Sequence, residues 1–340
     1  MEAREGDMDP KRALDEAARL IERADSLALA CHVAPDGDAL TGSMLALHHL
    51  ARAQGRSSQV SWPEPLAVAR HYDFLPGVDL VTKPADFPVA PEVMVTFDCG
   101  SLDRLVELRP AAEAARGQGS LIVLDHHVTN DLFGSVNVVD PAAAATAVVV
   151  RRLAARLGWA LTRDAAICLY TGLVTDTGRF QYDNTTPEVF ALAHELSEFD
   201  LPIAAMTRRL FEEHRFAYLQ LVASCLARAE LDRGLRFVAT WVTTEDLERF
   251  DVSIEETEGL IDLIRRAGEA EVSCVLKETP GGIRVSLRAV AGVDVGEIAS
   301  RFGGGGHRFA AGFTRTGTVA EVLAEVRDAV AGASPPSPGG

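Results

Sequence analysis

The chain has 340 residues, a formal net charge of −16 and a hydrophobic share of 47%. That length suggests two domains, the apolar share is ordinary for a soluble globular protein, and no apolar run reaches the roughly 18 residues that a membrane span needs. The acidic balance excludes a protein that wraps long duplex DNA behind a basic footprint, so any nucleic-acid ligand is short and held locally.

The acidic N-terminus, Met1 to Asp7, has no apolar core and does not read as a signal peptide. Five scattered cysteines (Cys31, Cys99, Cys168, Cys225, Cys274) form no C-x-x-C, which predicts reduced thiols in a cytoplasm. Asp9-Pro10 opens an amphipathic helix through about Ile21. A short apolar strand, Ser26 to Cys31, ends at His32, and a helix from Ala39 to Ala53 follows the loop Val33 to Asp38. Strands are expected at Ser57 to Trp62, at Val93 to Phe97 ending on Asp98, and at Leu121 to Leu124 ending on Asp125. Ser101 is placed to cap the helix after Asp98. Helices are expected at Ala142 to Leu157, closed by Gly158, and at Thr162 to Val174, leading into Asp176.

Apolar strands alternating with helices predict an α/β fold with a doubly wound parallel sheet, which takes its ligands outside the carboxyl ends of the strands. Helices at Pro187 to Ser197, Pro202 to Leu210 and Phe216 to Ala229 read as a connector. The texture then changes. Strands are expected at Arg236 to Val242, Ala270 to Lys277 and Gly282 to Leu287, with helices at Glu245 to Phe250, Glu255 to Arg265 and Thr318 to Val330. The expected organisation is a parallel-sheet domain over 1–190, a helical connector over 191–230, a smaller α/β domain over 231–330 and a disordered tail over 331–340.

The chemistry concentrates in four stretches: Cys31-His32-Val33-Ala34-Pro35-Asp36-Gly37-Asp38, Phe97-Asp98-Cys99-Gly100, Leu124-Asp125-His126-His127 and Leu173-Val174-Thr175-Asp176-Thr177-Gly178. A single Asp at a strand end is more often a helix cap, and a single His an ordinary half-buried one. Together, Asp36, Asp38, Asp98, Asp125 and Asp176 at one sheet edge would repel one another without cations. Mixed His and Asp ligands suit Mn²⁺ and leave Mg²⁺, Co²⁺ or Fe²⁺ open. Two such ions suit phosphoryl hydrolysis, with a bridging hydroxide attacking phosphorus. His127, beside a ligand, would donate to a phosphoryl oxygen or the leaving group. In the second domain, Gly303 to Gly306 followed by His307 is a linker or a set of backbone donors approaching a phosphate or base, and its place inside a domain favours the latter. Arg288 ends a strand, where it pairs either with a phosphate or with a surface carboxylate.

With His32-x-x-x-Asp36-x-Asp38, Asp98, Asp125-His126-His127 and Asp176 in this order, the sequence resembles the DHH phosphoesterase superfamily. Gly303 to His307 with Ala310-Ala311-Gly312 resembles its DHH-associated C-terminal domain, and Thr175-Asp176-Thr177-Gly178-Arg179-Phe180 with Asn184-Thr185-Thr186 resembles the compact nanoRNase subgroup. The resemblance implies a phosphodiesterase acting on short RNA and linear dinucleotides such as pApA, with cyclic di-AMP as a further substrate in some members. It also implies a phosphatase acting on 3′-phosphoadenosine 5′-phosphate. His32, Asp36, Asp98 and Asp176 would hold one ion, and Asp38, Asp98, His126 and Asp176 the second. His127 would face the phosphate, with Asp125 orienting it. Arg288 and Gly304, Gly305, Gly306 and His307 would hold the far end of the substrate in the cleft between the domains. A homodimer is expected from the family, and the alanines Ala142 to Ala145 stand where relatives often offer hydroxyls. The competing readings are an inorganic pyrophosphatase or exopolyphosphatase, against which the second domain speaks, and a non-catalytic nucleotide sensor, which would have lost ligands.

Overall fold

The computed structural model describes residues 9–290 and 292–333. The chain divides into two compact units between Glu212 and Glu213.

The first unit opens with α1 (Pro10–Arg23), which Asp9 caps by accepting from the Lys11 amide, with Pro10 in the first turn where its missing N–H costs nothing. Its sheet holds β1 (Ser26–Cys31), β2 (Ser57–Ser61), β3 (Val93–Phe97), β4 (Leu121–Asp125) and β5 (Val136–Val139), in the order β2-β1-β3-β4-β5 and parallel throughout. β5 was not anticipated, because Val136-Asn137-Val138-Val139 is short and its buried Val136 and Val138 alternate with half-buried neighbours. The central strands are buried on both sides, so their sequences read as unbroken apolar runs. Leu27, Leu29, Val93, Val95, Ile122 and Leu124 pack on one face. Ala28, Ala30, Met94, Leu121 and Val123 pack on the other, against α3 (Arg109–Gly117).

Register decides what this sheet can do. Cys31 pairs with Phe97 and Phe97 with Leu124, so the next position along the three strands is His32, Asp98 and Asp125. They leave the sheet in one row at its carboxyl edge. β1 is also the strand from which the order runs both ways, to β2 and to β3, which is where open α/β sheets bind ligands.

Helices of this unit differ from expectation at three places, and at the first of them Ser101 heads a 3₁₀ turn, Leu102–Leu108, without a side-chain cap bond. Gly37–Leu45 is wound as a π-helix before α2 (Ala46–Ala53) continues it. Such turns are rare and cluster at functional sites. The helix expected from Ala142 begins instead at Thr146 (α4, Thr146–Arg156), with Ala145 extended; the reason lies in the site described below. α5 (Arg163–Asp176), capped by Thr162, runs to Asp176. Of the stretch read as a connector, α6 (Pro187–Ser197) and α7 (Ile203–Phe211) bury Val189, Leu192, Leu196, Met206 and Leu210 in the first unit's core, and α8 (Phe216–Ala227) buries Tyr218, Leu221, Val222 and Cys225 in the second's.

The second unit is built on a mixed sheet in the order β10-β11-β9-β8-β7-β6. Its strands are β6 (Glu230–Asp232), β7 (Phe237–Val242), β8 (Val272–Thr279), β9 (Gly282–Ala289), β10 (Gly305–His307) and β11 (Ala310–Arg315), and only β7 and β8 run parallel. One face carries α11 (Val295–Arg301) and α12 (Val319–Ala333), the other α8 and α10 (Leu260–Ile264). α9 (Thr244–Phe250) starts at a capping box of Thr243 and Asp246, and Arg228 grips the Asp246 carboxylate with two bonds of 2.7 Å. The helix expected over Glu255 to Arg265 is a single turn, Glu255–Thr257, followed by α10, with Gly259 between them. Of the tail read as disordered, 331–333 complete α12, and 334–340 lie outside the described residues. All five cysteines are buried and unpaired. Among the described residues, no helix is long and apolar enough to cross a membrane.

The glycine run is part of this sheet and not a free linker. Gly306 has φ +140° and its backbone passes so close to β11 that an added Cβ would stand 2.5 Å from the Ala310 carbonyl oxygen. Gly305, facing Gly312, has nothing within 4 Å of such a Cβ. Gly306→Ala is therefore expected to lower stability by about 3 kcal/mol or more, and Gly305→Ala to stay within about 0.5 kcal/mol of the parent. Urea unfolding of the two variants measures both.

Candidate metal and phosphoester site

Each element brings its side chain to the sheet edge by a local device. Asp36 caps the π-helix, its Oδ1 accepting from the Asp38 and Ala39 amides at 3.1 and 3.0 Å. The helix then carries Asp38 inward until it is fully buried. Asp98 leaves β3 in the left-handed region, φ 52°, which Asp tolerates better than most residues. Asp38 meets the first turn of α4: its Oδ2 accepts from the Thr146 amide at 2.5 Å and its Oδ1 from Ala147 at 3.0 Å. These are donors that a helix start leaves unsatisfied. The alanines before Thr146 cannot extend the helix backwards without giving up that cap.

Room for Asp38 comes from two glycines. A Cβ on Gly42 would stand 2.6 Å from the Gly172 Cα and 2.7 Å from Asp38 Oδ1, and one on Gly172 would stand 2.6 Å from the same oxygen. The π-helix and α5 thus touch backbone to backbone, which sets the end of α5, and Asp176 with it, beside Asp38.

At the centre lies Asp98. Its Oδ2 is 3.8 Å from His32 Nε2, and its Oδ1 is 3.5 Å from His126 Nε2 and 3.4 Å from His127 Nδ1. Thr146 donates its hydroxyl to Oδ1 at 3.0 Å. His126 Nδ1 lies 3.2 Å from the Ala143 carbonyl oxygen and donates to it, which turns Nε2 toward Asp176 Oδ2 at 3.2 Å. Asp125 is fully buried. Its Oδ1 accepts from the His126 amide at 2.7 Å, the His127 amide at 3.1 Å and His127 Nδ1 at 2.7 Å, while Asn130 donates to Oδ2. Asp125 therefore orients the His127 ring and pins the His126 backbone.

Within the first unit, three sets of ligand atoms come within 4.8 Å of one another: His32, Asp36 and Asp98; Asp38, His126 and Asp176; and Asp98, Asp125 and His127. The first set holds three of the four ligands expected for one ion, without Asp176, and the second three of the four expected for the other, without Asp98; Asp98 offers one oxygen toward each histidine. The donors suit a divalent cation of borderline softness. The metal-free electrostatics point the same way. Burial drives Asp38 well above the usual carboxylate range, with Asp176 and Asp98 adding to it. Burial likewise pushes Asp176 up to about 6 against the pull of His126. Burial disfavours a charged His126, yet its bond to Asp176 and the charges of Asp176, Asp98 and Asp38 raise it. For His127 the Asp125 hydrogen bond and the Asp98 charge overcome burial and lift it to about 9. Asp98 is held below the carboxylate range despite its burial, by the His32 hydrogen bond and by His127 and His126. The raised groups favour a protonated cluster, a demand for positive charge that divalent cations would also meet.

Arg288, Gly304, Gly305, Gly306 and His307 belong to the second unit. Arg288 lies on β9 opposite Ala310, which pairs in turn with His307, so the two side chains share a face across one small residue. Arg288 Nη1 donates to the Leu287 carbonyl oxygen at 3.0 Å. Sequence reasoning missed four residues. Thr146 bridges Asp38 and Asp98. Asn130 ties Asp125 to the Cys99 carbonyl oxygen. Asn184 donates to the Ala144 and Asp176 carbonyl oxygens at 3.0 and 3.1 Å, holding the loop under His126 to the end of α5. Arg104 reaches His32. Thr146 had a signal in the helix-start preference for Thr after an alanine run, and Asn184 stood in the motif quoted above without a role; Asn130 and Arg104 carried no pattern of their own.

The profile of the DHH family, N-terminal domain, matches residues 26–173, and that of the DHHA1 domain matches residues 236–332. The bifunctional oligoribonuclease and PAP phosphatase NrnA of Thermus thermophilus is 35% identical over 289 residues, which cover 85% of this chain and 84% of that protein. Its Bacillus subtilis namesake is 26% identical over 303 residues, 87% of this chain and 91% of that one. An exopolyphosphatase-related protein from Bacteroides fragilis, known from its crystal structure, superposes with a TM-score of 0.86 at 26% identity, covering 95% of this chain and 96% of that one.

Two outcomes follow from the geometry. Thr146→Val keeps the shape and the amide bonds to Asp38 but removes the hydroxyl from Asp98; Mn²⁺ affinity measured by calorimetry is expected to fall about tenfold. The raised Asp176 and His127 make the metal-free native state bind more protons than the unfolded chain, so its stability falls as pH rises from about 4 through 9. Thermal unfolding across that range, with and without divalent cation, is expected to show this slope without the ion and a flattened one with it.

Proposed function

Because the chain belongs to the DHH family and carries the DHHA1 domain, we propose that it hydrolyses short oligoribonucleotides and linear dinucleotides such as pApA to mononucleotides. We propose further that it removes the 3′-phosphate from 3′-phosphoadenosine 5′-phosphate. It is a phosphodiesterase and phosphatase of that family. The observation that supports this reading above all is Asp98 set between His32 and His126, with Asp36 on one side and Asp38 and Asp176 on the other. A sheet edge that gathers so many anionic ligands suits substrates whose own charge is phosphate.

His32, Asp36, Asp98 and Asp176 would hold one divalent ion, and Asp38, Asp98, His126 and Asp176 a second, with Mn²⁺ the best match to the mixed donors. Bound there, the ions would acidify a water and stabilise negative charge around phosphorus. The protein's own groups do the rest. Asp125 fixes the His127 ring through Nδ1, so Nε2 is the atom that donates to the phosphoryl or leaving oxygen. Against its burial, the Asp125 hydrogen bond and the Asp98 charge favour the protonated His127 ring, the form that donates. Thr146 and the α4 amides hold Asp98 and Asp38 in place. In the second unit, Arg288 and the stretch Gly304 to His307 would bind a phosphate or base of the substrate.

The test is a product assay with Mn²⁺ on pApA, a five-nucleotide RNA, 3′-phosphoadenosine 5′-phosphate, cyclic di-AMP and inorganic pyrophosphate, with Asp98→Ala as control. The expected result is AMP from pApA and from 3′-phosphoadenosine 5′-phosphate and mononucleotides from the RNA, all lost in the control. Turnover of pyrophosphate alone would overturn the reading.

A further inference from the structure

Arg104 sits on the 3₁₀ turn Leu102–Leu108, and its placement next to His32 contains a conflict. Its Nη2 lies 2.9 Å from His32 Nδ1. The same ring nitrogen lies 2.8 Å from the Val33 carbonyl oxygen. A guanidinium only donates and a carbonyl oxygen only accepts, so His32 Nδ1 satisfies one of them at a time. The arrangement is local and fixed: the Val33 amide donates to the Arg104 carbonyl oxygen at 3.0 Å, which keeps the turn beside the loop.

The two choices have opposite consequences at the other end of the ring. If Arg104 donates to Nδ1, the neutral ring carries its proton on Nε2, which faces Asp98 Oδ2 at 3.8 Å and cannot ligate a cation. If Nδ1 carries the proton and donates to Val33, Nε2 offers its lone pair to the ion, and the guanidinium is turned away. Arg104 and a cation thus exclude each other at His32. Asp103 and Glu113 are taken by Arg109, and among the described residues Arg104 has no carboxylate partner. It is exposed at the rim of the cluster. An exposed, planar, unneutralised donor beside a metal ligand is suited to a phosphate oxygen pair.

We propose that Arg104 is a phosphate-binding residue of this site, parked on His32 Nδ1 while the cation position is empty and released to the substrate phosphate when a cation takes His32 Nε2. This rests on the reading of the cluster as a divalent-metal phosphoester site. It makes cation and phosphate binding cooperative beyond their direct attraction, because the ion frees the residue that the phosphate needs.

The experiment pairs ring-nitrogen NMR of histidine-labelled protein, with His32 assigned by His32→Ala, and calorimetry on the parent, Arg104→Met and Arg104→Lys. In the metal-free parent, His32 is expected to show a lone pair on Nδ1 and a proton on Nε2. Mg²⁺ should reverse that, and Arg104→Met should show the reversed form already without metal. Arg104→Met is expected to bind Mg²⁺ about fivefold more tightly, the worth of one lost competing hydrogen bond. AMP, used as the phosphate probe on Mg²⁺-loaded protein, should bind about ten- to a hundredfold more weakly to Arg104→Met, with part of the loss recovered in Arg104→Lys. The proposal is overturned if metal-free His32 already carries its proton on Nδ1 in the parent. It is equally overturned if Arg104→Met weakens Mg²⁺ binding, which would make the arginine a prop for His32, or leaves AMP affinity unchanged. None of these readouts needs turnover, so a failure of the phosphoesterase reading in the product assay is seen separately from a failure here.

Discussion

The constraint on which this structure turns is charge crowding at one sheet edge. Five aspartates and three histidines end up in overlapping groups of close ligand atoms because parallel register aligns the ends of β1, β3 and β4, and because α5 and the π-helix converge on the same place. Such a group is stable only if each charge has a partner. The fold supplies partners from several directions: amides of α4 for Asp38, amides of the His126-His127 turn for Asp125, the cap of the π-helix for Asp36, and imidazoles for Asp98 and Asp176. What those partners leave over is a deficit of positive charge, which protons meet in the metal-free protein and divalent ions would meet in the enzyme.

The scaffolding around the cluster is stiff for reasons that have little to do with the ligands. The approach of Gly42 to Gly172 admits no side chain, so two helical segments are locked at backbone distance and Asp38 has one seat. The start of α4 is decided by that seat and not by helix propensity. The loop before it offers carbonyl oxygens, Ala143 to His126 and Ala144 to Asn184, so a stretch with no polar side chain still orients a ligand and ties it to the end of α5. Alanines at 142–145 are therefore compatible with the site's geometry, because the backbone supplies the acceptors there.

The candidate site was largely legible in the sequence because its residues sit where apolar runs stop. His32, Asp98 and Asp125-His126-His127 each follow a strand of four to six buried residues, and burial on both faces leaves the strand end as the natural place for a polar ligand. Asp176, at the end of an apolar helix, is legible for the same reason. The glycine run was legible as backbone close to something, but that something is in part β11, whose carbonyl at Ala310 leaves no space for a Cβ on Gly306. The helix assigned from Ala142 failed because alanine favours helix everywhere, whereas the carboxylate that caps α4 at Thr146 lies more than a hundred residues away in the chain.

The sequence by itself determined the alternation of strand and helix, the two-part chain and the candidate ligands, since each follows from local pattern: apolar runs, capping residues and the residue types that bind cations. The tertiary structure alone decided how those ligands share space. Asp98 lies between two histidines, Asp125 orients the His127 ring, and one nitrogen of His32 stands between a carbonyl oxygen and Arg104. These are contacts between residues up to about seventy positions apart. They are set by strand register and by the close passage of two glycines, and hydrogen-bond directionality then permits only particular protons on particular atoms.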